Sequence, residues 1–280
     1  LSAARYLRPE HLEDALVALG TRSWTVLAGG TDFYPARVGK PVDVDVLDIT
    51  RIAGLRGIQV ADGAVRIGAT ATWSELIAAD LPAVYDGLKA AAREVGGVQI
   101  QNAGTVVGNL CNASPAADGV PALLALNAAV ELHSGTGTRR LPLADFVLGN
   151  RKTARRPDEL AVAVHVPAWP KEARGVFLKL GHRRYLVISI VMVAACVALD
   201  AAGRIERCGI AVGACSAAAL RLLELEARIL GMRPADAAAS VTEVDLAGLS
   251  PIDDVRGSAE YRRDAALTLV RQAITQAGAR

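Results

Sequence analysis

Between Gly96 and Pro115 the chain abandons every periodicity. The segment GGVQIQNAGTVVGNLCNASP is filled with Gly, Asn, Thr and Ser. Links inside a compact domain are typically about 4–6 residues, and much longer ones usually serve a purpose. The reading is therefore an ordered loop, held by regular elements on both sides.

Those elements are legible upstream. Leu12, Ala15, Leu16 and Leu19 recur at helical spacing, and Trp24 to Ala28 is a short apolar run that stops at Gly29-Gly30, as a buried strand would. Val44 to Leu47 predicts a second strand, and GIQVADGAVRIGA alternates about Asp62-Gly63, a pair that tolerates the positive φ of a tight hairpin. Thr72-Trp-Ser-Glu75 has the form of a capping box, so two helices are expected from there to about Val95. Downstream, Pro121 fits the first turn of a helix capped by Asp118, and AAVELH and ELAVAVHV read as strands. Beyond Pro167 to Pro170, GVFLKL, the run Val187 to Leu199, and RIERCGIAVGA predict an antiparallel sheet. Helices follow at about Ala217 to Leu230 and Ser258 to Ala277, the second with Ala265, Leu269, Gln272 and Ala273 on one face.

Composition narrows the function. With 280 residues and 52% hydrophobic content the chain can bury a large core. No stretch approaches the roughly 20 apolar residues needed to cross a bilayer, and Arg5, Arg8, Glu10, Glu13 and Asp14 break any apolar leader, so a cytoplasmic protein is expected. A net charge of +2, from 31 basic and 29 acidic residues, gives no field that would gather nucleic acid. The basic run Arg151 to Arg156 reads as a solvated turn. Cys111, Cys196, Cys208 and Cys215 lack C-x-x-C spacing, so no metal or iron-sulfur site is expected from this chain alone. G-x-x-x-x-G-K-[ST], a strand-to-helix G-x-G-x-x-G, G-x-S-x-G and H-E-x-x-H are all missing, and His11, His133, His165 and His182 are dispersed.

What remains is a pair of glycine segments. In VLAGGTDFYP two glycines after a strand let main-chain N–H groups turn toward an anion, and Thr31 adds a hydroxyl. Asp32 should not face phosphate; it would tie the loop's own N–H groups or a ribityl hydroxyl. In the second segment Gly104 and Gly108 permit close approach, while Thr105, Asn109, Asn112 and Ser114 supply orienting groups. Taken singly, the first fits a plain strand-ending turn and the second a self-satisfying polar loop. Two in one domain suggest a shared ligand.

The combination LAGGTD, NAGTVVGN and ASPAAD resembles the FAD-binding, or medium, subunits of the xanthine dehydrogenase and CO dehydrogenase family of molybdenum hydroxylases. KLGHRRYLVIS and PIDDVRGSAEYRR resemble their companion domain. The resemblance implies an α+β fold with a two-subdomain, PCMH-type FAD-binding domain over residues 1–170 (subdomains about 1–55 and 56–170). A C-terminal domain of antiparallel sheet and helices would follow over 171–280. On that analogy Leu27, Ala28, Gly29, Gly30, Thr31 and Asp32 wrap the pyrophosphate. Thr105, Gly108, Asn109, Asn112, Ser114 and Asp118 form the second FAD loop, with Asp118 toward sugar hydroxyls and Leu160, Lys179 and Tyr185 toward the flavin. The family commonly carries Gly-Gly before the loop's Asn and Arg two positions after its Gln; here stand Val107-Gly108 and Gln101. Because a β-branched residue resists positive φ, Val107 bears on flavin affinity.

The resemblance further implies a large subunit carrying the molybdenum cofactor and a small subunit with 2Fe-2S clusters, assembled as a dimer of heterotrimers. Electrons would pass through FAD to NAD or another acceptor, which accounts for the lack of a catalytic dyad. The alternatives are a self-sufficient FAD-dependent reductase or oxidase on the same fold, and a scaffold that binds no nucleotide.

Overall fold

The computed structural model describes residues 4–279. It opens with a small parallel sheet of β1 (Tyr6–Leu7), β2 (Thr25–Leu27) and β3 (Val46–Asp48) in the order β1-β3-β2, with helix α1 (Leu12–Thr21) between the first two strands. The apolar run at residues 24–28 is thus an edge strand whose C-terminal end delivers the first glycine segment.

The next sheet has the order β4-β5-β10-β6-β7 and is antiparallel throughout. It begins with the hairpin of β4 (Ile58–Ala61) and β5 (Ala64–Gly68), whose turn places Asp62 and Gly63 at φ 50° and 76°, as the dipeptide predicts. Helices α2 (Trp73–Ala78) and α3 (Asp86–Glu94) follow, the first started by the Thr72/Glu75 capping box. The aperiodic segment is not one loop. It folds into α4 (Val98–Ala103) and α5 (Val106–Asn112), each too short to repeat an apolar face, which is why periodicity fails there. Val107 is helical and buried, so the departure at this position asks for no positive φ; Gln101 lies on α4 and donates to Arg93 O at 3.1 Å.

Helix α6 (Gly119–Ala125) contains Pro121 near its start, but Asp118 does not cap it: the residue is already helical and its carboxylate points elsewhere. Strands β6 (Ala129–Ser134) and β7 (Gly137–Pro142), helix α7 (Leu143–Phe146), a hairpin of β8 (Val147–Gly149) and β9 (Lys152–Thr153), and then β10 (Leu160–Val166) complete this part. His165 bonds Glu131 across the sheet, and His133 reaches the same carboxylate at 2.6 Å.

The last sheet is β11 (Arg174–Leu180), β12 (Val191–Leu199), β13 (Ile205–Gly213) and β14 (Leu220–Arg221), antiparallel in that order. Beside it lie α8 (Leu223–Ile229), α9 (Pro234–Ser240) and α10 (Ala259–Ala277). The sheet is covered on both faces, so β12 is apolar at every position. Val191, Val193, Ala195 and Val197 join the α8–α10 core, while Met192, Ala194, Cys196 and Ala198 join the core of the preceding domain. Each fully buried valine there contributes about 1.5–3 kcal/mol. On the inward face the packing reaches backbone contact: a Cβ added to Gly175 would lie 2.0 Å from Val84 O. Two expectations shift. The strand predicted from Val187 starts at Val191, and the helix predicted from Ala217 starts at Leu223 after the short β14. On α10 the buried stripe is Ala266, Val270, Ala273, Ile274 and Ala277, with Gln272 in solvent.

Candidate functional site

The two glycine segments meet. Past β2 the chain turns at Gly29 and Gly30, and Tyr34 N donates to Gly30 O at 3.1 Å, which opens one helical turn. Among the described residues, the N–H groups of Thr31, Asp32 and Phe33 find no acceptor, as at the start of any helix, and such a row of free donors suits an anion.

The second segment is stitched to the corner before α2. Trp73 N donates to Gly104 O and Val106 N to Ala71 O, both at 3.1 Å. Thr105 then caps α5, its hydroxyl accepting from Gly108 N at 3.1 Å. An ideal Cβ on Gly29 would lie 1.9 Å from Ala103 O, and one on Gly104 would lie 3.2 Å from Thr31 Oγ1, so the segments touch backbone to backbone. Replacing Thr105 with Val should remove the cap and cost about 1 kcal/mol, to be read as a lower urea midpoint.

Between them lies a cavity of about 490 Å³. Leu27, Ala28, Gly29, Gly30, Thr31 and Asp32 line one wall, Thr105, Gly108, Asn109 and Asn112 the other, and Leu160 with Trp24, Ile49 and Ala161 forms an apolar part. Asn109 Oδ1 is buried without a hydrogen-bond partner. A cavity with free main-chain donors, an unpaired amide oxygen and an apolar lining fits a nucleotide that is anionic at one point and aromatic at another. Cys111 also lines the cavity, but burial pushes its thiol up to about 11 and keeps it neutral.

Ser114, Asp118, Lys179 and Tyr185 do not line this cavity. Lys179 on β11 pairs with Asp118 at 2.9 Å, Ser189 donates to the same carboxylate at 3.2 Å, and Glu94 lies 3.8 Å from the ammonium. Burial raises the Asp118 carboxyl to about 6 against the opposing pull of Lys179. Tyr185 is exposed beneath the guanidinium of Arg184, 5.5 Å from its ring centre. Glu94 precedes Val95, a cavity residue, so this cluster flanks the cavity.

The sequence reading missed Arg151. The run Arg151 to Arg156 is not merely a solvated turn: Arg151 grips Asp32 at 2.6 and 3.2 Å and also bonds Asn112, while Arg155 lines the cavity. Asp32 therefore ties to a distant hairpin rather than to its own loop. Only the topology brings β8–β9 there, so no local signal could have exposed it. Among the described residues no cluster of His, Cys, Asp or Glu has metal-binding geometry, and no helix is long and apolar enough to cross a membrane.

Fold and cavity together define a two-part α+β protein, its first part holding a donor-lined cavity and its second a sheet-and-helix companion. Comparison with known proteins gives the class its family. Residues 2–169 match the profile of the FAD binding domain in molybdopterin dehydrogenase, and residues 177–277 that of the CO dehydrogenase flavoprotein C-terminal domain. The putative xanthine dehydrogenase FAD-binding subunit of Escherichia coli (strain K12) is 32% identical, over 98% of this chain and 96% of its own. The nicotine 6-hydroxylase medium subunit of Paenarthrobacter nicotinovorans is 31% identical, over 100% of this chain and 99% of its own. Among solved structures, a chain of the cyanide-inactivated Cu,Mo-CO dehydrogenase superposes with a TM-score of 0.89 at 27% identity, covering 99% of this chain and 98% of that one. The chain belongs to the FAD-binding subunits of the molybdenum hydroxylases.

Proposed function

We propose that this chain is the flavin-carrying electron-transfer subunit of a multi-subunit molybdenum hydroxylase, acting in the cytoplasm. Residues 1–170 would hold FAD and residues 171–280 would close the flavin end. The main-chain donors from Leu27 to Asp32 take the pyrophosphate. Thr105, Gly108, Asn109 and Asn112 orient the dinucleotide, and Leu160 packs against it. Asp118, Lys179 and Tyr185, on the flank, face the flavin side. When bound, FAD would supply the redox chemistry that links the 2Fe-2S clusters of a small partner subunit to an acceptor such as NAD.

The substrate would be hydroxylated at a molybdenum cofactor on a large subunit, within a dimer of heterotrimers. That division of labour agrees with relatives named for substrates as different as xanthine and nicotine. The reading rests on one observation: glycine segments far apart in the chain form the two walls of one donor-lined cavity. Co-expression with the neighbouring subunits should give a complex with flavin absorbance from which denaturation releases FAD, identified by mass. A folded complex free of flavin, and unable to take it up, would overturn the proposal.

A further inference from the structure

The residue that ties the cavity walls together stands outside the cavity lining. Arg151, at the turn of the β8–β9 hairpin, has φ 56°, and its N–H donates to Ala113 O at 2.9 Å, which anchors it to the end of α5. Its guanidinium holds both carboxylate oxygens of Asp32 and, through Nη1, Asn112 Oδ1. Asp32 and Asn112 belong to opposite walls.

A cradle for a diphosphate needs donors and no uncompensated negative charge. Asp32 stands in the middle of the turn whose free N–H groups would hold the anion, so a bare carboxylate there would repel it. Arg151 cancels that charge with a two-point bond, the geometry a guanidinium fork makes best. Asn112 can offer either an acceptor or two donors. Arg151 donates to Asn112 Oδ1, which sets the orientation of the amide and leaves its NH₂ as the free donor. Two other cations, Arg155 and Arg37, line the cavity, but Arg155 donates to Glu159 O at 2.6 Å and Arg37 to Phe33 O at 3.0 Å while covering the Phe33 ring, and neither bonds Asp32.

We propose that Arg151 is the positioning residue that makes this cavity accept a diphosphate, by neutralising Asp32 and fixing Asn112 as a donor. The proposal rests on the FAD reading above and adds to it a residue that need not touch the cofactor. It also explains why Asp32 is tolerable in an anion-binding turn.

The test uses the full chain freed of flavin, titrated with FAD by quenching of flavin fluorescence, with Arg151→Met, Asp32→Asn and the double variant. At low salt Arg151→Met should raise the Kd for FAD about tenfold, and the difference should shrink toward 1 M salt, where the screening length falls to about 3 Å. Adding Asp32→Asn to Arg151→Met should bring the Kd back to within about threefold of wild type. A tether with only a structural role would show no such rescue, so a double variant as weak as Arg151→Met overturns the proposal. Should Arg151→Met not fold, Arg151→Lys keeps the charge without the fork and should weaken binding about threefold; unchanged binding in every variant likewise overturns it. Wild type that binds FAD while Arg151→Met binds equally well sinks this inference alone. Wild type that does not bind FAD sinks the flavin reading and this inference together.

Discussion

Replacing Gly29 with alanine should yield a folded chain that loses most of its hold on flavin. The added Cβ would lie 1.9 Å from Ala103 O and 2.7 Å from Ala103 C, and neither atom is the movable end of a side chain. One segment must move away from the other, which shifts the free N–H groups of residues 31–33 relative to Thr105 and Asn109. Overpacking of this kind costs about 2–3 kcal/mol, equivalent to a weakening of FAD binding of about 30- to 150-fold. Gly20→Ala provides the control, since nothing lies within 4 Å of that position and it sits in α1, where alanine is favoured by up to about 1 kcal/mol. Equal FAD affinity in the Gly29 and Gly20 variants would mean that the contact between the two segments does not shape the cradle.

That contact was only half legible in the sequence. Gly29-Gly30 after an apolar run marks a strand end where backbone can approach something, and the small residues from Gly104 to Asn112 mark another. Nothing in either segment says that they approach each other; the family resemblance supplied that. Local rules worked where the cause was local. The Asp62-Gly63 turn and the Thr72 capping box depend on adjacent residues and stand as read. They failed where the cause was distant. Asp118 looks like a helix cap because Asp commonly is one, yet Lys179, on a strand of the other domain, claims its carboxylate. Arg151 is exposed, as read, but its partners Asp32 and Asn112 are remote in sequence and so escaped the reading. Helices α4 and α5 are set by packing against α2 and the cap at Thr105, not by a periodic apolar face, so a pattern search sees only a loop.

The Asp118–Lys179 pair carries the second large expectation. Both side chains are nearly buried, with relative exposures of 11% and 8%. Removing one partner of such a pair leaves the other charge in a poor solvent, at a cost of about 3–5 kcal/mol. Lys179→Met should therefore lower stability sharply at neutral pH, and the loss should depend on pH in a definite sense. Burial already holds the Asp118 carboxyl at about 6, above its ordinary value of 3.8, with Lys179 pulling it down. A raised folded pKa means that the native state holds the proton more tightly than the unfolded chain. The resulting stabilisation is fully present below about pH 4 and is lost as pH rises through about 6. Without Lys179 the carboxyl should rise further, so the variant should fall behind wild type as pH climbs from 4.5 to 7.5, as measured by urea unfolding at each pH. Adding Asp118→Asn to Lys179→Met should recover most of the loss at pH 7.5, because the buried carboxylate is then gone and Glu94, the ammonium's other neighbour, is partly exposed. A deficit of the same size at pH 4.5 and 7.5 would show that lost packing of the lysine stem, not the buried carboxylate, causes the effect. It would also remove the electrostatic reason for placing this pair between the two domains, where β11 and the start of α6 meet beside the cavity.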